Sequence, residues 1–188
     1  MNEPTLHDAP LAFITGASSG IGQALAARFA RAGYRLALVA RRSEELQAWA
    51  RAQGFDETRC RVYRADVAEI GEIVAAGQAC LAQQGVPDVV IANAGISVGM
   101  DTAEHDDLFV MARTFATNNT GMAASFHPFV NAMRARGRGA LVGIASVAAI
   151  RGLPGHGAYC ASKAAVVSYC ESLRGELRAS GVAVVTLL

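Results

Sequence analysis

The sequence is short of aromatics, 6% of 188 residues with a single tryptophan, and it has only four cysteines and five prolines. The cysteines, Cys60, Cys80, Cys160 and Cys170, form no C-x-x-C pair, and none stands with a histidine at metal-ligand spacing. No metal is expected, and reduced, buried thiols in a cytoplasmic protein are. No apolar run is long enough to span a bilayer. The polar start, Met1–Pro10, includes Glu3 and Asp8 and has no basic stretch leading into an apolar one, so no signal peptide is expected. A charge excess of either sign is lacking too: the net charge is +1 with mixed signs, which gives no reason to expect a nucleic-acid or membrane partner. Low-complexity segments and linkers are absent. The histidines, His7, His105, His127 and His156, are read as non-ligands; His156, near Tyr159, is placed to touch substrate but is read as a loop residue in solvent.

What the chain does have is hydrophobic residues, 52% of the total, and 19 glycines. This composition suits an Ala/Val/Leu-rich α/β domain, and 188 residues suffice for one domain with a sizeable core. Apolar runs alternate with helical patterns throughout. Strands are expected at Leu11–Ile14, Arg35–Ala40, Arg61–Ala65, Asp88–Ala92, Ala140–Ser146 and Val182–Leu188. Helices are expected from Ile21 to Ala32, from a Ser43 cap to Gln53, from Glu69 to Gln84, from Glu104 to Arg134 and from Ala158 to Ala179. The fourth should be irregular around Asn118-Asn119-Thr120-Gly121, which are poor helix formers, and bent or offset near Pro128. Trp49 should pack from the second helix. The expected fold is a doubly wound parallel sheet, a Rossmann fold, with helices on both faces.

Strand, glycine loop, helix is the order that turns a glycine motif into a phosphate site, and it occurs at Gly16-Ala17-Ser18-Ser19-Gly20-Ile21-Gly22. Glycine permits the tight turn and close backbone approach. The helix N-terminus offers free N–H groups and the positive end of its dipole to a pyrophosphate. In dinucleotide folds an acid near the end of the second strand binds the adenosine ribose. That place holds Ala40, followed by Arg41 and Arg42. Arginine welcomes a 2′-phosphate that an acid would repel, so NADP is favoured over NAD. The alternative is that both arginines simply face water.

Tyr159 and Lys163 are four residues apart, on one face of a helix. An ammonium one turn from a phenol favours the phenolate and prepares the hydroxyl for proton transfer near neutrality. Taken alone, such a pair more often decorates a surface. The rest of the chain overturns that reading.

With Thr15-Gly16-Ala17-Ser18-Ser19-Gly20-Ile21-Gly22, Asp66-Val67, Asn93-Ala94-Gly95, Asn118, Ser146 and Tyr159-Cys160-Ala161-Ser162-Lys163 in order, the chain resembles the shorter, single-domain branch of the short-chain dehydrogenase/reductase family. The resemblance runs from about residue 11 to the end. The extended branch spaces its glycines differently, so the chain looks unlike an epimerase.

The resemblance implies an oxidoreductase moving a hydride between NADP(H) and a carbonyl/alcohol substrate. Tyr159 would be the general acid/base. Lys163 would support it and bind the nicotinamide ribose. Ser146 would hydrogen-bond the substrate oxygen, and Asn118, rather than Asn119, would hold a relay water. Gly16, Ser18, Ser19, Gly20, Ile21 and Gly22 would hold the pyrophosphate. Asp66 and Val67 would meet the adenine, and Asn93, Ala94 and Gly95 would line the adenine and ribose end. The resemblance also implies a homodimer or homotetramer packed through the helices at Glu104–Arg134 and Ala158–Ala179. Family members continue beyond the sixth strand with a substrate-covering loop and a seventh strand, so the 1–188 domain is expected to lack both. The alternative in a different class is a non-catalytic dinucleotide-binding or interaction module of the same fold. Nothing in the sequence names the substrate.

Overall fold

The computed structural model describes residues 9–188. Most of the polar start, including His7, lies outside the described residues. Six strands form one sheet: β1 (Leu11–Thr15), β2 (Arg35–Ala40), β3 (Cys60–Arg64), β4 (Val89–Ala92), β5 (Gly139–Ile144) and β6 (Val182–Leu187). Every pairing is parallel, and the spatial order is β3-β2-β1-β4-β5-β6.

A parallel strand with helices over both faces must be apolar on both sides, and β1 is buried at all five positions. Leu11 and Phe13 point into one core, and Ala12 and Ile14 into the other. The second core is closed by α1 (Gly20–Arg31) and α2 (Ser43–Ala52) through Ala26, Ala30, Leu46 and Ala50. The first is closed by α3 (Ile70–Gln84), α5 (Gly121–Arg136) and α6 (Gly157–Glu176), with Ile73, Phe129 and Val166 among its members. The rings of Phe13 and Phe129 lie 4.7 Å apart. This is the expected doubly wound Rossmann architecture.

The irregular stretch falls where the poor helix formers are. Between α4 (Asp107–Phe115) and α5, residues Ala116–Thr120 form a π-helical turn. Pro128 sits inside α5 and faces a notch in α3. A methyl group added to Gly77 would come within 2.6 Å of the Pro128 ring, so the proline packs where a larger α3 residue would not fit.

Three expectations need correcting. Ser43 is the first residue of α2 rather than its cap. Arg42 holds the cap position, and no side chain satisfies the helix's first N–H groups. Strand β5 ends at Ile144, so Ser146 stands beyond the strand and opens a short 3-10 turn, Val147–Ala149. His156 is not a solvent histidine. Its ring is half-buried, and its Nδ1 is enclosed with no hydrogen-bond partner. Trp49 packs edge-on against Phe55, 6.0 Å between centroids. All four cysteines are free and buried.

Candidate active site

The chain turns left after β1 and right after β4, so the carboxyl ends of these neighbouring strands open a crevice. A cavity of 370 Å³ lies there. Its walls include Gly16, Ser18, Ser19, Gly20 and Ile21 from the glycine loop, and Arg41 and Arg42 from the end of β2. Asp66 and Val67 follow β3, and Asn93, Ala94 and Gly95 follow β4. Val39, Ala40, Ala65, Ile96 and Thr117 also line it. Sequence reasoning had marked the place of Ala40 without counting it as a lining residue, and missed the other four. Val39, Ala40 and Ala65 belong to strand ends it had located, but their side chains carry no chemical signal.

Gly22 does not line the cavity. It is buried beneath the loop, where a methyl group would meet the Gly16 carbonyl oxygen at 2.1 Å. Its role is to let α1 start directly under the turn. Gly20 differs: its φ is +54°, a region that favours glycine, and a methyl there would meet nothing within 4 Å. No side chain caps α1 at Ser19, and no acid stands in its first turn. Its N-terminal N–H groups are therefore left to an anion, as a pyrophosphate requires. These features fit a dinucleotide.

The loop is held by its neighbours. Asn93 donates through Nδ2 to the carbonyls of Thr15 (3.0 Å) and Gly16 (3.2 Å). The Thr15 hydroxyl oxygen accepts from the N–H groups of Asn93 (3.1 Å) and Ala94 (3.2 Å). Asp66 fixes its own turn by accepting from the Ala68 N–H at 3.0 Å. At the side of the cleft formed by the ends of β2 and β3, Arg41 Nη1 lies 3.5 Å from Asp66 Oδ2, and Arg42 Nη1 lies 3.2 Å from Glu45 Oε2.

Gly95 leads from the cleft to the second group of residues. A methyl on it would stand 3.2 Å from Asn118 Oδ1 and 3.5 Å from Lys163 Nζ. Lys163 is only 5% exposed and donates to the Ile144 carbonyl at 2.7 Å. Burial pushes its pKa below the ordinary lysine value. The ammonium is 5.7 Å from the centroid of the Tyr159 ring, as the four-residue spacing on α6 requires. Tyr159 itself is half-buried. The 3-10 turn that follows Ser146 packs on α6. The Ser146 hydroxyl oxygen accepts from the Ala148 N–H at 3.1 Å, which leaves its hydrogen to donate.

Asn118 is buried in the π turn and nearly all its side-chain capacity is spent. Oδ1 accepts from the Ile96 N–H (2.8 Å), while Nδ2 donates to the Ile96 carbonyl and to Ser162 Oγ, each at 2.9 Å. One lone pair of Oδ1 is all that remains for a water. Asn119 donates to the Ser162 carbonyl at 2.8 Å, and Ser162 Oγ donates to the Tyr159 carbonyl at 2.8 Å. The π turn is thus tied to the first turns of α6. Ser162 stood in the sequence between Tyr159 and Lys163 without being singled out, although a serine inside such a motif was the available signal. Among the described residues no group of three or more His, Cys, Asp and Glu could hold a metal ion. No helix among them is long and apolar enough to cross a membrane.

A family model described as short chain dehydrogenase matches residues 10–188. An oxidoreductase of Myxococcus xanthus is 39% identical over 173 residues, covering 92% of this chain and 68% of its own. D-threitol dehydrogenase of Mycolicibacterium smegmatis is 36% identical over 180 residues, with 96% and 69% covered. The crystal structure of a short-chain dehydrogenase/reductase from Burkholderia phymatum in complex with NAD superposes with a TM-score of 0.87 at 29% identity, covering 97% of this chain and 66% of that one. The chain spans about two thirds of the length of these relatives.

Proposed function

The chain belongs to the short-chain dehydrogenase family, and from that premise we propose that it transfers a hydride between NADP(H) and a small carbonyl/alcohol substrate. The observation that carries the proposal is the junction at Gly95. The residue lines the dinucleotide cleft and stands beside the buried ammonium of Lys163, one helical turn from Tyr159.

A bound nicotinamide supplies or accepts the hydride. The Tyr159 hydroxyl gives its proton to the carbonyl oxygen in reduction and takes one from the alcohol in oxidation. The Lys163 ammonium stabilises the phenolate left behind, an effect strengthened by its burial. Ser146 donates its free hydrogen to the same substrate oxygen and holds it in place as charge develops. Asn118 acts through its neighbours. By fixing Ile96 on one side and Ser162 on the other, it sets the distance between the cofactor cleft and the Tyr159 helix. Its free lone pair is where a relay water behind Lys163 would bind.

Arg41 and Arg42 support NADP over NAD, since each brings a guanidinium to the edge of the adenosine end. The exposed apolar side chains Leu108, Phe109 and Met111 on α4, with Tyr169 on α6, support a homo-oligomer built on these two helices.

The first test is a calorimetric titration with NADPH and NADH. Tighter binding of NADPH is expected, and replacing Arg41 by Asp should turn the preference toward NADH. An unchanged affinity ratio in that variant would discard the arginine argument. With turnover established on a carbonyl panel, Tyr159→Phe should lower kcat by at least about a hundredfold, the usual worth of a general acid, while NADPH binding holds. Retained turnover in Tyr159→Phe would remove the tyrosine from its assigned role.

A further inference from the structure

The end of β3 brings a third arginine to a cavity that adjoins the cleft. Arg64 is the last residue of that strand and pairs in register with Ala40, the residue before Arg41. Side chains alternate along a strand, and Cys60 and Val62 lie on the α1/α2 face, so Arg64 lies on that face too. There it lines a second cavity of 370 Å³ with Arg41, Arg42, Ser43, Glu44 and Glu45. The two cavities meet at Arg41 and Arg42, which line both.

The charges in this second cavity are not equivalent. Arg41 is engaged by Asp66 and Arg42 by Glu45. Arg64 has no ion pair among the described residues. Two further donors face no internal acceptor: the Ser43 hydroxyl, which caps nothing, and the uncapped first N–H groups of α2. Glu44 and Glu45 oppose an anion here, so one paired guanidinium would not hold it. A phosphate monoester carries a charge of roughly −1.5 to −2 at neutral pH, and two half-spent arginines leave much of that unmatched.

We propose that Arg64 is a specificity-determining residue for NADP, the unpaired guanidinium that completes the 2′-phosphate seat begun by Arg41 and Arg42. The proposal rests on the NADP reading above and adds to it a residue from another strand. It requires only that the phosphate reach across the shared wall formed by Arg41 and Arg42 to the head group of Arg64.

The test compares wild type, Arg64→Met and Arg64→Lys by calorimetry with NADPH, NADH, 2′,5′-ADP and 5′-ADP, and follows thermal unfolding of each variant. Arg64→Met, which keeps an unbranched stem without the charge, should weaken NADPH and 2′,5′-ADP by about tenfold, the worth of one charged hydrogen bond. NADH and 5′-ADP should be unaffected, and lysine should restore part of the loss. Wild type preferring NADPH with Arg64→Met unchanged overturns this inference and leaves the NADP reading standing. Equal losses for phosphorylated and unphosphorylated ligands also overturn it, since they mark a structural role. A wild type that does not prefer NADPH overturns both readings.

Discussion

Burying an ammonium costs solvation, and Lys163 has the Ile144 carbonyl to set against that cost. Burial pushes its pKa down from 10.5. In the unfolded chain the lysine keeps its proton up to that ordinary value, while the folded protein releases it earlier. Between the two values the unfolded state binds more protons, so stability rises with pH there. The unfolding free energy of wild type relative to Lys163→Met should therefore climb as pH is raised from 7 to 10, as measured by urea unfolding. A flat difference would mean the buried charge costs nothing. Burial likewise pushes the thiols of Cys60 and Cys80 up to about 12. At pH 8 neither should react with iodoacetamide in the native state, and peptide mapping after denaturation should recover both unmodified. At this scale the sequence was readable wherever the signal is local. Tyr159 and Lys163 are one turn apart whatever surrounds them. It was unreadable where partners come from afar: that Asn118 has spent both its N–H groups depends on Ile96 and on Ser162, 44 residues away.

At the scale of elements, the glycine loop shows that glycines in one motif are needed for different reasons. At Gly22 an added methyl meets Gly16 backbone, oxygen at 2.1 Å and carbon at 2.8 Å, and neither can move without distorting the turn. At Gly20 there is room, and the penalty is conformational, about 1–2 kcal/mol for an L-residue in the left-handed region. Gly22→Ala should consequently lower the melting temperature more than Gly20→Ala does. Gly20→Ala should lose dinucleotide affinity out of proportion to its stability, because its methyl projects from a residue that lines the cleft. Thermal unfolding with and without NADPH separates the two, and the reverse order of stabilities would refute the contact argument. The motif located the loop but not this division of labour, since Gly16 and Gly22 touch only after the turn closes. The π turn was foreshadowed by Asn118 to Gly121, which resist regular helix. Strand and helix ends were displaced by a residue or more, as at Ser43 and Ser146, because end positions depend on hydrogen bonds made elsewhere.

Across the whole molecule, the alternation of strand and helix patterns implied a parallel doubly wound sheet, yet strand order is a long-range property. β1 pairs with β4 across 77 residues, Ala12 with Val89, and that pairing creates the crevice in which the candidate site lies. The same assembly sets α4 and α6 side by side on one surface. There Phe109 is 67% exposed and Leu108 50%, whereas on α1 the comparably exposed Ile21, at 63%, lines the cleft, and Ala26, Ala30, Leu46 and Ala50 of α1 and α2 are buried against the sheet. Leaving a large aromatic and a leucine adjacent in water is costly, and a second copy presenting the same surface by two-fold symmetry would cover both. Phe109→Glu would place two carboxylates near the axis of such a pair. Light scattering coupled to size exclusion should find the wild type at two or four times the monomer mass, and Phe109→Glu at the monomer mass with unchanged circular dichroism. A wild type that runs as a monomer at tens of micromolar would refute the assembly. A variant that stays assembled would move the interface off α4. If the monomeric variant also loses turnover while still binding NADPH, assembly supports the Tyr159 end of the site, because α6 carries both Tyr159 and the proposed contact residue Tyr169.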